Sequence, residues 1–175
     1  AVFGQTVYHS KALDIKLSGT SNLHDWEMKA ANGTSEVSFI VDAKGIITSF
    51  SRLSFTLPAK NLKSNHSGMD KNTYKALKAD VNPNISFTGT SGTVTSIGGN
   101  NYQLNCNGNM SIAGTTKETS LVATGKYNPA DKSFTITGFK KMKMTDYNVK
   151  PPKALLGTIK TGDGITISYN VKFYS

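Results

Sequence analysis

Cysteine, long apolar runs and carboxylates are all scarce in this chain of 175 residues, and each scarcity removes a class of protein. Cys106 is the single cysteine, so no intramolecular disulfide can form and no cysteine-based metal cluster can assemble. No apolar run approaches the roughly 18 residues that a membrane-spanning helix needs. Acidic residues number 11 against 20 basic ones, and Asp14, Asp25, Glu27, Glu36, Asp42 and Glu118 are scattered, with no pair placed for general acid–base work. His9, His24 and His66 stand on separate segments without the paired spacing that suits zinc, so no metal site is expected. His24 and Asp25 are neighbours in an extended segment, so their side chains diverge and form no dyad. There is no G-x-S-x-G nucleophile elbow, and Gly98-Gly99 lacks the strand–turn–helix setting of a phosphate loop. Together these absences argue against an enzyme.

What the chain has in quantity is alternation. Leu13, Ile15 and Leu17 point one way while Asp14, Lys16 and Ser18 point the other. The cleanest case is Tyr102, Leu104, Cys106, Gly108, Met110 and Ile112, separated by Gln103, Asn105, Asn107, Asn109 and Ser111, which predicts a strand with one wet face. The same period runs through Val37-Phe39-Val41, Leu53-Phe55-Leu57, Leu121-Ala123-Gly125-Tyr127, Phe134-Ile136-Gly138 with Met142 and Met144, and Ile165-Ile167-Tyr169-Val171-Phe173. His24, Trp26 and Met28 share a face in a strand expected over 23–31, and Asn32-Gly33 reads as a hairpin turn after it. About eight strands joined by short Gly/Asn turns must either pack two sheets or close into a barrel, and their length favours an elongated barrel. No repeat or linker divides the chain, so 1–175 is expected to be one domain.

One stretch breaks the β pattern. Over 66–87, Met69, Thr73, Ala76 and Leu77 recur at helical spacing, Ser67 and Asp70 have capping-box spacing, and Asn82-Pro83 supplies a stop. The formal charge of +9 attracts nucleic acid, anionic lipid surfaces or acidic ligands without choosing among them. Lys140, Lys141, Lys143, Lys150, Lys153 and Lys160 form the densest basic region; Phe139 and Tyr147 are nearby, but Met142 and Met144 alternate with the lysines as an inward set would, so it reads as a solvated edge, not a nucleic-acid platform. Attraction of an anionic membrane or ligand head comes second. The opening Ala1-Val2-Phe3-Gly4-Gln5 has the small, apolar character of a signal-cleavage region, a mature start or a cloning remnant. Residues 1–6 are therefore expected to be a loose lead, and the protein to be exported.

Met28, Met110, Met142 and Met144 fall on expected inward faces and Met69 on the helix. Methionine fills irregular space and suits an adaptable apolar cavity. Inward Gly89, Gly108, Gly125 and Gly138 remove side-chain volume and are expected to leave a channel open.

Three blocks resemble the YceI-like family of exported, lipocalin-like, polyisoprenoid-binding proteins. They are L-S-F-T-L-P-A-K-N-L-K-S-N at 53–65 leading through K-A-L-K-A-D at 75–80 to N-P-N-I-S-F-T at 82–88; Y-Q-L-N-C-N-G-N-M-S-I-A-G-T-T-K-E-T at 102–119; and G-D-G-I-T-I-S-Y-N-V-K-F at 162–173. The chain departs from the family pattern at N-L-H-D-W (22–26) and, late in the chain, at T-D-Y-N-V (145–149). The resemblance implies an all-β fold: a single eight-stranded antiparallel β-barrel with one short α-helix near the mouth. It also implies a channel for an extended apolar lipid such as an isoprenoid quinone or polyprenyl chain, in a periplasmic or secreted setting. Transport, storage or sequestration of that lipid would be the role, with no cofactor beyond the lipid itself. On this reading Trp26, Met28, Phe39, Phe55, Phe87, Leu104, Met110, Met142, Tyr169 and Val171 line the channel, Met69 and Leu77 help close it, and His24 or mouth lysines meet a polar head. The expected partners are the lipid and, transiently, an anionic membrane surface; no nucleic acid is expected, and a homodimer is left open. The rival readings are an enzyme on a lipid-like substrate and a filled structural or interaction barrel.

Overall fold

The computed structural model describes residues 4–154 and 156–175. Its elements in chain order are β1 (Gly4–Ser21), β2 (Trp26–Ala30), β3 (Thr34–Val41), β4 (Ile47–Pro58), α1 (Ser67–Ala76), β5 (Asn84–Gly98), β6 (Asn101–Ile112), β7 (Thr115–Asn128), β8 (Ser133–Lys143), β9 (Lys153–Ala154) and β10 (Ile159–Tyr174). Short 3₁₀ turns follow β4 and β8, at Ala59–Asn61 and Met144–Tyr147. Eight of the strands form the wall: β1, β3, β4, β5, β6, β7, β8 and β10 pair in that order, all antiparallel, and β10 returns to β1 with Ile15 opposite Tyr169. Closure removes the exposed sheet edge and turns the apolar face of each strand inward. On β6, every even residue from Tyr102 to Ile112 is buried, while the odd positions lie at or nearer the surface.

Three expectations are corrected here. Asn32-Gly33 is not a hairpin turn: β2 and β3 both run antiparallel to β1 in one continuous register, with Ile15 opposite Ala30 and Tyr8 opposite Val37. They are one strand interrupted at 31–33, where the Asn61 side chain donates to the Asn32 carbonyl at 2.8 Å. Beyond the interruption β4 no longer flanks it; Lys29 and Lys63 instead exchange backbone hydrogen bonds at 2.8 and 2.9 Å. The helix, secondly, ends at Ala76, well before Pro83. Lys78 takes a left-handed φ of 52°, and Ala79 and Lys78 N–H groups bond back to the Tyr74 and Lys75 carbonyls, a Schellman ending. Its other end carries no Ser67–Asp70 capping box. His66 is the N-cap, and the Asp70 carboxylate accepts from the Ser64 N–H and hydroxyl, both at 2.7 Å. Thirdly, β1 already includes Gly4–Thr6, which the sequence placed in a loose lead; the rest of that lead, residues 1–3, lies outside the described residues.

The barrel is solid at one end and hollow at the other. At the solid end Tyr8, Phe39, Tyr102 and Phe134 pack ring against ring, with centroids 4.7 Å apart for Phe39–Phe134 and 5.8 Å for Tyr102–Phe134. Phe39 and Phe134 have no exposed surface, and burial pushes the Tyr8 hydroxyl above its ordinary pKa. At the hollow end α1, the 21–25 segment and the 3₁₀ turn after β8 surround the opening.

Candidate functional site

Two apolar chambers lie in line within the hollow end. The outer one encloses about 400 Å³ under α1, and the inner one about 160 Å³ deeper in the barrel. Leu17, Leu77, Ile112, Met142 and Ile165 border both and form a collar between them. Strand alternation explains the collar: Leu17, Ile112, Met142 and Ile165 are inward residues at the open ends of β1, β6, β8 and β10, and Leu77 descends from the end of α1.

The outer chamber is built by local devices. The Trp26 ring lies flat across Gly19, its partner in the β1–β2 pairing, so closely that a Cβ there would stand 2.3 Å from the indole. The indole N–H donates to the Thr20 carbonyl at 3.0 Å, which fixes the ring at the rim. Thr73 on α1 bonds to the Met69 carbonyl at 2.8 Å and approaches the Met28 sulfur at 3.3 Å, setting the helix over β2. The Tyr74 hydroxyl donates to the Leu62 carbonyl at 2.6 Å and holds the helix to the chain before it. Across the mouth, the Thr145 hydroxyl and N–H donate to Asp163 at 2.5 and 2.9 Å, which pins the 3₁₀ turn to β10 and keeps that carboxyl below its ordinary range. His24, His66, Asn72, Lys143 and Lys153 put polar groups around an otherwise apolar mouth.

The inner chamber is drier. Its wall is aliphatic and aromatic, with Ser35, Cys106, Lys140 and Tyr169 as the residues bearing polar groups. Burial pushes the Cys106 thiol up to about 11. The Tyr169 hydroxyl is pushed up to about 12, by burial first and Cys106 second. Both groups are neutral at physiological pH. The arrangement can hold an elongated apolar molecule with its polar end at the mouth.

The structure brings together twelve of the thirteen residues expected at the site. His24, Trp26, Met28 and Met69 line the outer chamber; Leu77 and Met142 stand in the collar; Phe55, Phe87, Leu104, Met110, Tyr169 and Val171 line the inner chamber. Phe39 is the correction: it borders neither chamber and belongs to the aromatic plug. Alternation reports which face a residue takes, not its height along the barrel axis. Two further expectations change. The inward glycines do not themselves open the channel, because rings lie on them: Phe87 on Gly108, Phe134 on Gly125 and Tyr169 on Gly138, each within 2.7 Å of where a Cβ would be. Lys140, grouped with the solvated lysines, faces inward and borders the inner chamber. Leu17, Ile112, Ile165, Phe50 and Leu53 also line the site without having been singled out, although all but Phe50 already stood in apolar alternations.

Among the described residues no group of three His, Cys, Asp or Glu side chains could hold a metal ion, and no helix is long and apolar enough to cross a membrane. His9 lies away from the mouth, 3.4 Å from Glu36 on the outer surface.

Similar folds occur among solved structures. A Burkholderia cenocepacia protein, BcnA, matches with a TM-score of 0.68 at 16% identity over 91% of this chain and 95% of its own. A polyisoprenoid-binding domain from Saccharophagus degradans, implicated in plant cell wall breakdown, matches with a TM-score of 0.70 at 7% identity over 96% of this chain and 98% of its own. The Campylobacter jejuni YCEI protein matches with a TM-score of 0.57 at 17% identity over 79% of each chain. A search of curated proteins returned no match. At these identities the likeness shows the fold. The YceI-like domain model, however, matches residues 5–173, nearly the whole barrel, and the chain belongs to the YceI-like family.

Proposed function

We propose that this protein is a non-catalytic carrier that binds one extended lipid, an isoprenoid quinone or polyprenyl chain, with its tail through the collar and its polar end at the mouth. The observation that carries this reading is the pair of apolar chambers that meet at the collar, the outer one bordered by the polar groups of the mouth. A tail in such a space exchanges water for hydrocarbon at roughly 25 cal/mol per Å² of apolar surface buried. Methionines at Met28, Met69, Met110, Met142 and Met144 suit a tail of irregular outline, since the thioether chain re-packs at low cost. The binding named for the Saccharophagus domain supports the polyisoprenoid class.

The role that fits is shielding a lipid during transport, storage or sequestration between membranes, in the periplasm or outside the cell. The excess of basic residues favours brief contact with an anionic membrane during loading. Cell fractionation that recovers the protein with the cytosol would remove the exported setting.

Trp26 is the only tryptophan and stands in the outer chamber, so it reports occupancy directly. Polyprenyl quinone added to lipid-stripped protein is expected to quench its fluorescence saturably at one equivalent. Organic extracts of freshly purified protein are expected to contain a long-chain lipid by mass spectrometry. An empty extract together with unquenched fluorescence would overturn the carrier reading and favour a barrel without a small ligand.

A further inference from the structure

The wall is not equally knitted all round. β8 pairs with β10 along its whole length, and β6 with β7 from Asn101 opposite Lys126 to Ile112 opposite Thr115. Between β7 and β8 the ladder stops at Ala123 opposite Gly138, yet β7 extends to Thr115 and β8 to Lys143. The two strands part over that span and are linked again near the mouth, where the Asn148 side chain donates to the Thr115 hydroxyl at 3.2 Å. Tyr169 marks the parting. Its ring crosses Gly138 from the far side of β8, and its hydroxyl donates at 3.0 Å to the carbonyl of Val122, the first β7 residue left without a β8 partner.

Lys140 sits on the β8 lip of this seam. It shares the inward face of Ile136, Gly138 and Met142, and among the residues bordering the inner chamber it is the one with a basic side chain. It is partly buried and takes part in no salt bridge among the described residues. No counter-charge comes from the chamber, since Cys106 and Tyr169 stay protonated there. The nearest acidic residue along β7, Glu118, is exposed and has the outward parity of Val122 and Thr124. Holding a lysine stem against an apolar wall costs stability unless its ammonium reaches water or an anion, and a wall position of this kind would otherwise go to an aliphatic residue.

We infer that Lys140 at the β7–β8 seam is an anchor for an anionic head group, a carboxylate or phosphate, carried by a lipid whose tail occupies the inner chamber. This rests on the carrier reading and adds a head-group preference and a second place for the head, in the side of the barrel. The outward residues at the parting, Val122 and Phe139, are 53% and 63% exposed, so a head leaving through the seam would pass between apolar lips.

The experiment titrates lipid-stripped protein, by displacement of the quinone from Trp26, with a long-chain fatty acid, the alcohol of equal length, and acetate and inorganic phosphate as tail-less anions. The acid is expected to bind about tenfold more tightly than the alcohol at neutral pH, as a charge-assisted contact would give. Lys140→Met should abolish that preference while leaving alcohol binding in place, and Lys140→Arg should retain it. Lys141→Met removes the same charge from the neighbouring outward position and should change nothing. Thermal unfolding of each variant confirms that it is folded. Equal affinity for acid and alcohol, or a preference that survives in Lys140→Met, overturns the inference while leaving the carrier standing. Competition by acetate or phosphate alone overturns the lipid-head form and indicates a free-anion site. Failure of every tailed ligand overturns both.

Discussion

The two ends of the barrel are made by the same strands with the same alternation, and they reach opposite results. At the solid end the inward positions carry Tyr8, Phe39, Tyr102 and Phe134, whose rings meet one another across the lumen. At the hollow end the inward positions carry Leu17, Met28, Ile112, Met142 and Ile165, which are too short to meet across it. Between the two, Phe87 and Tyr169 pack against the wall at Gly108 and Gly138. A glycine beneath a ring does not decide whether it fills the lumen, since Phe134 backs onto Gly125 and still fills it; what differs is that Tyr8, Phe39 and Tyr102 meet it there. The solid end supplies the stability that an end holding empty volume cannot, since unfilled space forfeits dispersion contacts.

Phe134→Ala should break the comparison hardest. The ring is fully buried at the centre of the plug, and its loss should destabilise the protein by about 3–5 kcal/mol in urea denaturation. A loss below about 1 kcal/mol would show that the plug is not the rigid part.

Two neighbours on the inner face of β7 sharpen the contrast. Gly125 backs onto the plug, where a Cβ would stand 2.4 Å from the Phe134 ring; Ala123 borders the inner chamber. Gly125→Ala should cost about 1–3 kcal/mol by overpacking, a larger effect than its single methyl suggests. Ala123→Leu adds three times as many carbons but enters existing space. It should stay below that range in denaturation while sharply reducing lipid uptake at Trp26. The reverse order of stabilities would mean that the chamber is filled and the plug is soft.

Much of this architecture is legible in the sequence. The alternation of β6 and β10 requires water on one side and apolar packing on the other, and eight such strands leave few ways to bury their faces. The helix is legible from Met69, Thr73, Ala76 and Leu77, three of which line the outer chamber and one, Leu77, both. The failures share a physical cause: local chemistry repeats in different tertiary settings. Asn32-Gly33 has the composition of a hairpin turn, but the register of β2 and β3 against β1 makes it an interruption in one strand. Phe39 has the alternation of a chamber residue and differs only in its height in the barrel. Lys140 was hidden among lysines, although its even spacing from Ile136, Gly138 and Met142 already placed it inward. The Schellman ending at Lys78 gave no signal, because a left-handed lysine lacks the glycine that usually announces it.

Cys106 offers the smallest and most local probe, with no change in sequence. It is buried on the inner-chamber wall, and its thiol is raised to about 11 by desolvation. At pH 8 only about one molecule in a thousand carries the reactive thiolate, against roughly a quarter of an unperturbed thiol with pKa near 8.5. Alkylation of the folded protein should therefore run at least about a hundredfold slower than in denaturant, and should keep rising with pH after an exposed thiol has levelled off. Route matters as well as ionisation. If the path to Cys106 runs through the apolar collar, an uncharged maleimide should label it faster than a sulfonated one, and bound quinone should slow both. Equal rates for the two reagents would mean that Cys106 is reached by water from elsewhere. The parted β7–β8 wall, whose Leu121 stands directly opposite Cys106 in the β6–β7 ladder, would then be the route.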